Sequence, residues 1–355
     1  MTLQSGNHVS GQPRGTTSRL THLDAAKGLA ILAVILGHSG ISQINSLVYS
    51  FHLPLFFLIS GYFCNHKTDK ISFAKRRFIQ LIIPYIIVSG LVIILYTFDS
   101  YCTSGYLPAR TALKNITIAA LYGTGNPTSV LGYDITAIGA IWFLPATFVA
   151  QLIWRYTSTW KYPFLWAAVI AIIGYYSGKL LWLPLSIQAG MTCCIFIYLG
   201  WYARECCIQR FTTHKLLPFI LSICFVIWVI NIIWFPHFYL VRNHMQGGLL
   251  NIIGGTCGSI LIITLCQSLQ RYTKILFSFL KWCGLNSLII LCCHNIDAMC
   301  CHAYDICKIM NIEHTNMLIA IRLCIGALTL AICYITLRNS VQFLKRKLMF
   351  LLAKP

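Results

Sequence analysis

The sequence predicts an all-α, polytopic membrane protein, on three observations. Of the 355 residues 57% are hydrophobic, only 10% are charged, and long apolar runs recur along nearly the whole chain. A soluble domain dresses its surface with about 25% charged residues, whereas a helix needs roughly 20 apolar residues to cross ~30 Å of hydrocarbon. Ten runs of that kind are read, near residues 26–44, 47–64, 79–98, 135–154, 162–178, 181–202, 216–235, 248–267, 276–295 and 316–337. They are continuously apolar, while strands of a membrane barrel alternate over about ten residues, so the spans are expected to be helices.

The first run follows Arg14 and Arg19, as the apolar core of a signal peptide does. Its end, His38-Ser39-Gly40, offers no small-x-small cleavage site, and Asp24 and Lys27 stand at its entrance, so it is expected to be a retained span. Residues 1–18 are rich in Ser, Gly, Thr and Gln and read as a disordered cytoplasmic tail. Residues 19–340 read as one transmembrane domain. Its longest connection, residues 99–133, carries the turn formers Gly105, Pro108, Gly123, Gly125, Asn126 and Pro127, with a short interfacial helix expected at 110–121. Residues 341–355, with Lys345-Arg346-Lys347 ahead of an apolar stretch, suit a cytoplasmic amphipathic tail on anionic lipid.

The net charge of +19 would suggest nucleic acid in a soluble protein. Topology explains it instead, and no nucleic-acid partner is expected. With a cytoplasmic N-terminus and ten crossings, all but six of the 27 basic residues fall on the inner side, and the C-terminus is cytoplasmic too. The exceptions are Arg110, Lys114, Lys179, Arg242, Lys308 and Arg322. The 17 cysteines lie mostly inside apolar runs, where a thiol behaves as a small hydrophobe, so a disulfide framework is not expected.

Ionisable residues in a span are costly and mark function. Lys27 and His38 are eleven residues apart, which returns to within roughly 20° of one helix face, about 16 Å along the axis. Asp24 lies one turn before Lys27, placed to pair with it. His52 opens the second span in Phe51-His52-Leu53-Pro54, with Pro54 in the first turn, where a missing N–H costs little. A short turn between the spans would set His38 and His52 at one level, and two imidazoles together suggest proton transfer. Two histidines alone make an incomplete metal shell, which His294 and Asp297 would have to complete, and no metal is expected. At the inner face, Lys75, Arg76 and Arg77 precede the third span. They satisfy the positive-inside rule and are also of the type that clamps the phosphates of a nucleotide-containing donor.

Leu23-Asp24-Ala25-Ala26-Lys27-Gly28, then His38, then Phe51-His52-Leu53-Pro54-Leu55-Phe56-Phe57-Leu58-Ile59-Ser60-Gly61-Tyr62, then the basic run ending at Pro84-Tyr85, together resemble the membrane acyltransferase-3 family. Trp142-Phe143-Leu144-Pro145-Ala146 and Gly284-Leu285-Asn286-Ser287-Leu288, with His294, extend the likeness through most of the chain. The sequence is most similar to the branch that O-acetylates fucose and surface polysaccharides. Lys27 stands where many relatives have arginine, and Gln80 where a second arginine often follows Arg77.

The resemblance implies about ten helices around a central channel in a bacterial inner membrane. Acetyl-CoA would enter from the cytoplasm and a glycan or lipid-linked sugar acceptor from outside. It further implies that Lys27 and His38 are essential. His38 and His52 would then be catalytic, and Lys27, Lys75, Arg76 and Arg77 would hold the donor. Asp24, Trp142, Ser287 and His294 would support them. Some relatives carry an additional extracytoplasmic domain; none follows Pro355 in this sequence, so a stand-alone transferase is expected, handing its product to polysaccharide assembly proteins. The competing expectation is a transporter or flippase of acidic or lipid-linked sugars, which would share the helices, charge and buried histidines.

Overall fold

A computed structural model describes residues 20–38, 42–64, 69–206 and 216–300, with helical positions at 327, 328, 331 and 335. The two tails lie outside the described residues, as does the tenth predicted span apart from those isolated positions.

Helix α1 covers Thr21–Gly37. The second predicted run begins in a short helix, α2 (Ser42–Tyr49), and continues in α3 (His52–Tyr62). Next, α4 (Lys70–Arg77) is capped by Asp69, whose carboxylate accepts from the N–H groups of Ile71 and Ser72, both at 3.1 Å. A π-helical segment, Phe78–Ile82, then leads into α5 (Ile83–Ser104). Its cause is local: Pro84 has no N–H for the Gln80 carbonyl and its ring crowds that oxygen, and a wider turn relieves both.

The connection at 99–133 is more ordered than the sequence suggested. The helix expected at 110–121 is present and longer: α6 (Tyr106–Tyr122) turns back at Gly105, where φ is +88°, and packs along α5. The Tyr85 hydroxyl donates to the Ala120 carbonyl across the pair. Strands β1 (Thr128–Val130) and β2 (Tyr133–Ile135) form a small hairpin, and a 3₁₀ turn at Ala140–Trp142 opens α7 (Phe143–Thr157).

Helices α8 (Pro163–Leu180), α9 (Ile187–Glu205) and α10 (Leu217–Trp234) follow. A second hairpin joins β3 (Phe238–Tyr239) to β4 (His244–Met245) ahead of α11 (Leu249–Tyr272). The predicted ninth span, 276–295, is not one helix. It divides into α12 (Lys274–Leu285) and α13 (Ser287–Cys300), bent by 74°. Gly284, Asn286 and Ser287 are weak helix formers, and the Asn286 side chain donates to the Trp282 carbonyl at 2.8 Å, ending α12.

Six helical units among the described residues are long and apolar enough to cross a membrane, and the bent pair makes a seventh. The protein is thus a mostly helical, polytopic integral membrane protein. Phe219, Phe225, Ile233 and Trp234 of α10 face outward, as side chains in contact with lipid do.

Two pairs of glycines set the closest helix contacts. A Cβ on Gly28 would overlap the Leu280 carbonyl, and one on Gly284 the Asp24 carbonyl, four residues before the opposing glycine in each case. Because Cα–Cβ bonds tilt toward a helix N-terminus, this reciprocity makes α1 and α12 run in the same direction. Gly61 against Ile197 and Gly200 against Leu58 repeat the pattern for α3 and α9. Small residues let backbones approach in this way where lipid offers no hydrophobic drive.

A buried polar network ties α10 to the second hairpin. Asn251 donates to the Asn231 side chain at 2.8 Å and to the Phe235 carbonyl at 3.1 Å, and accepts from the Gly247 N–H at 2.6 Å. Asn251→Leu should leave these groups unpaired and lower stability by about 1–3 kcal/mol. Thermal melting of the detergent-purified protein checks this, and an unchanged midpoint would deny the network any role.

Candidate active site

A cavity of about 920 Å³ lies between the helices. Following α1, it is lined by Lys27, then Ile31 and Val34, then His38. Returning along α3, it meets His52, Leu53, Phe56 and Ser60. Lys27, Arg77, Gln80, Ser60, Thr147 and Gln151 therefore gather at one end, and His38, His52, Asn45 and Tyr49 at the other, with Phe56, Phe143 and Leu291 between.

At the Lys27 end, Lys27 Nζ is 2.8 Å from the carboxylate of Asp24, which is buried. The π turn before Pro84 brings Arg77 to Gln80, with Nη1 donating to Oε1 at 2.9 Å. Lys75 and Arg76, grouped with Arg77 in the sequence reading, are exposed and do not line the cavity. Helical geometry explains the separation, since three consecutive residues point about 100° apart. Thr147 and Gln151, one turn apart on α7, were missed. Their Thr147 Oγ1 and Gln151 Oε1 atoms, together with Arg77 Nε, are buried without a hydrogen-bond partner among the described residues. Polar side chains four apart within an apolar run were the signal that could have found them. Such orphaned atoms at a cavity wall suit a polar ligand.

At the other end, α1 stops at Gly37 and His38 caps it. His38, expected to be buried, is instead exposed at this helix end, where its ring lines the cavity. Its Nδ1 lies 2.8 Å from the Val34 carbonyl. A carbonyl only accepts, so Nδ1 carries the proton and Nε2 keeps its lone pair. His52, buried, repeats this with Nδ1 at 2.6 Å from the Val48 carbonyl.

The imidazole at hydrogen-bond distance from His38 is that of His294, with Nε2 at 3.3 Å from His38 Nδ1 and the rings edge to face. The bend at Asn286 delivers it there. Asn295, next in sequence and fully buried, accepts from the Ile141 N–H at 3.1 Å and donates to the Ile138 carbonyl at 3.2 Å. It so clamps the turn that leads to Trp142 onto the helix bearing His294. Trp142 and Ser287 both line the cavity.

Fold and site together define a class: a helical membrane protein with an internal cavity, cationic at one end and bearing imidazoles at the other. The chain belongs to the acyltransferase-3 family, whose acyltransferase domain matches residues 20–338. It is similar to the Nodulation protein NolL of Mesorhizobium japonicum, 27% identical over 178 residues, covering 45% of this chain and 42% of that protein. The Nodulation protein NolL of Sinorhizobium fredii is 24% identical over 180 residues, 45% of this chain and 43% of that protein. The alignments thus span less than half the length of these curated relatives. No solved structure matches the chain.

Proposed function

We propose that the protein is an O-acetyltransferase that moves acetyl from cytoplasmic acetyl-CoA to a hydroxyl of an extracytoplasmic or lipid-linked sugar. The observation carrying this reading is the single cavity shared by Lys27 and Arg77 at one end and His38 and His52 at the other. Family membership supports acyl transfer, and the positive-inside bias supports a cytoplasmic Lys27 end in a bacterial inner membrane.

The donor supplies a thioester. Lys27 and Arg77 are suited to its phosphates, with Lys27 held in place by Asp24. The ~16 Å between Lys27 and His38 is comparable with an extended pantetheine arm. His38 Nε2 accepts the proton of the acceptor hydroxyl as its oxygen attacks the thioester carbonyl; the ester C–O bond forms, the C–S bond breaks, and the thiol leaves with the proton. His38 Nδ1–H meanwhile faces the Val34 carbonyl and His294 Nε2, two acceptors that stabilise the imidazolium. His52 is a second proton carrier or a partner for the oxyanion.

The test is labelled acetyl-CoA supplied to membranes containing the protein, with mass spectrometry of the glycans. Acetylated glycan is expected; glycan transport without acetyl transfer would overturn the reading in favour of a transporter. Neutralising the ion pair as Asp24→Asn with Lys27→Gln avoids stranding a buried charge. It should raise KM for acetyl-CoA roughly tenfold, the worth of one charge-assisted hydrogen bond. An unchanged KM would reduce Lys27 to a topology marker.

A further inference from the structure

The β3–β4 hairpin at the His52 end of the cavity plays no part in the chemistry above, yet it contributes both Tyr239 and Arg242 to the lining. It is held rigidly. Asn243, at φ +49°, is buried and donates to the Gly174 carbonyl of α8 at 3.0 Å. The Tyr239 ring stands edge to face on Tyr49 with centroids 5.5 Å apart, and Tyr49 in turn lies 5.3 Å from the His52 ring. Aromatic surface thus continues from the candidate proton carrier out to the hairpin.

The charges on this hairpin are of one sign. Arg242 is exposed and, among the described residues, has no carboxylate partner. His244 is held below the usual imidazole range, first by desolvation, then by the positive potential of His237, Arg242 and Lys179. It is therefore uncharged at neutral pH, and the fixed charge belongs to Arg242 on the hairpin and to Lys179 of the neighbouring α8, whose Nζ lies over the Tyr175 and Tyr176 rings. Positive-inside topology accounts for neither, because both lie in segments that the sequence assigns to the outside. A guanidinium with no carboxylate partner among the described residues, in a cavity wall that also bears Tyr239 and Tyr49, suits a sugar bearing an oxyanion.

We propose that this hairpin is the anion subsite for the acceptor: Arg242, backed by Lys179, binds a carboxylate or phosphate carried by the glycan, while Tyr239 and Tyr49 present ring faces to its sugar. The inference rests on the acyl-transfer reading. The two sources of the oxyanion are an acidic sugar residue and the pyrophosphate that links a glycan to its lipid.

The experiment uses the full-length protein in liposomes with labelled acetyl-CoA and three acceptors: a neutral oligosaccharide, the same one ending in glucuronic acid, and the neutral one on polyprenyl pyrophosphate. The wild type should prefer one charged acceptor over the neutral one by about tenfold in kcat/KM, and which one identifies the source. Arg242→Gln should erase that preference and Arg242→Lys should keep part of it. Raising the salt should weaken it. No preference in the wild type, or the same preference in Arg242→Gln, would overturn the subsite while leaving acyl transfer standing. No transfer to any acceptor would overturn the acyl-transfer reading itself and the subsite with it.

Discussion

His38→Ala is expected to lower acetyl transfer by about a hundred- to ten-thousand-fold, the range that a positioned general base contributes. The protein should still insert and fold, because the ring is exposed to the cavity and packs into no core. Two further readouts separate a base from a merely structural residue. His294→Ala removes the imidazole whose Nε2 lies 3.3 Å from His38 Nδ1 and should cost less than the loss of His38 itself. In the wild type, the rate should rise with pH as an imidazole loses its proton, and His38→Ala should flatten that rise. Transfer at the normal rate by His38→Ala would remove it from the mechanism.

Gly28→Val should be severely damaging to folding. Its side chain would enter the Leu280 carbonyl and the backbone at Gly284, atoms that cannot swing aside. Separating α1 from α12 would also pull Lys27 and His38 from their places along the cavity. We expect a loss of ~3 kcal/mol, the upper part of the overpacking range. The loss would be read as a lower melting midpoint in detergent, with Gly28→Ala intermediate. Gly90→Val, where an added Cβ meets nothing within 4 Å, is the control and should change little. Equal midpoints for Gly28→Val and the wild type would refute the close parallel packing of α1 on α12.

The two substitutions act on different levels of the same design. Gly28 and Gly284 fix how near two helices approach, and the role proposed for His38 depends on that approach, which holds α1 beside the turn into α13. Asn295 adds to this by joining the Ile138–Ile141 turn to the helix that carries His294. Side chains far apart in the chain are thereby brought to one wall.

Much of this was legible in the residues themselves. Apolar runs of bilayer length announce helices, since a backbone in hydrocarbon must satisfy its own hydrogen bonds. The eleven-residue interval from Lys27 to His38 put both on one stripe, because the 3.6-residue period is fixed by backbone geometry. Asp24 three residues before Lys27 gave the ion pair for the same reason. Whatever depends on short-range periodicity could be read from the order of residues.

What crosses between segments could not. The 74° bend at Asn286, the return of α6 along α5 and the pairing of His38 with His294 rather than only with its nearer neighbour in sequence all depend on which helix faces meet. So do the choice of Arg77, out of the three consecutive cations, to face the cavity and the arrival of Arg242 there. In a chain this apolar nearly every helix face is hydrophobic, so hydropathy does not say which face turns inward. The choice is made by small residues that let backbones touch and by buried polar groups that must find partners. Both are decided only once the helices pack.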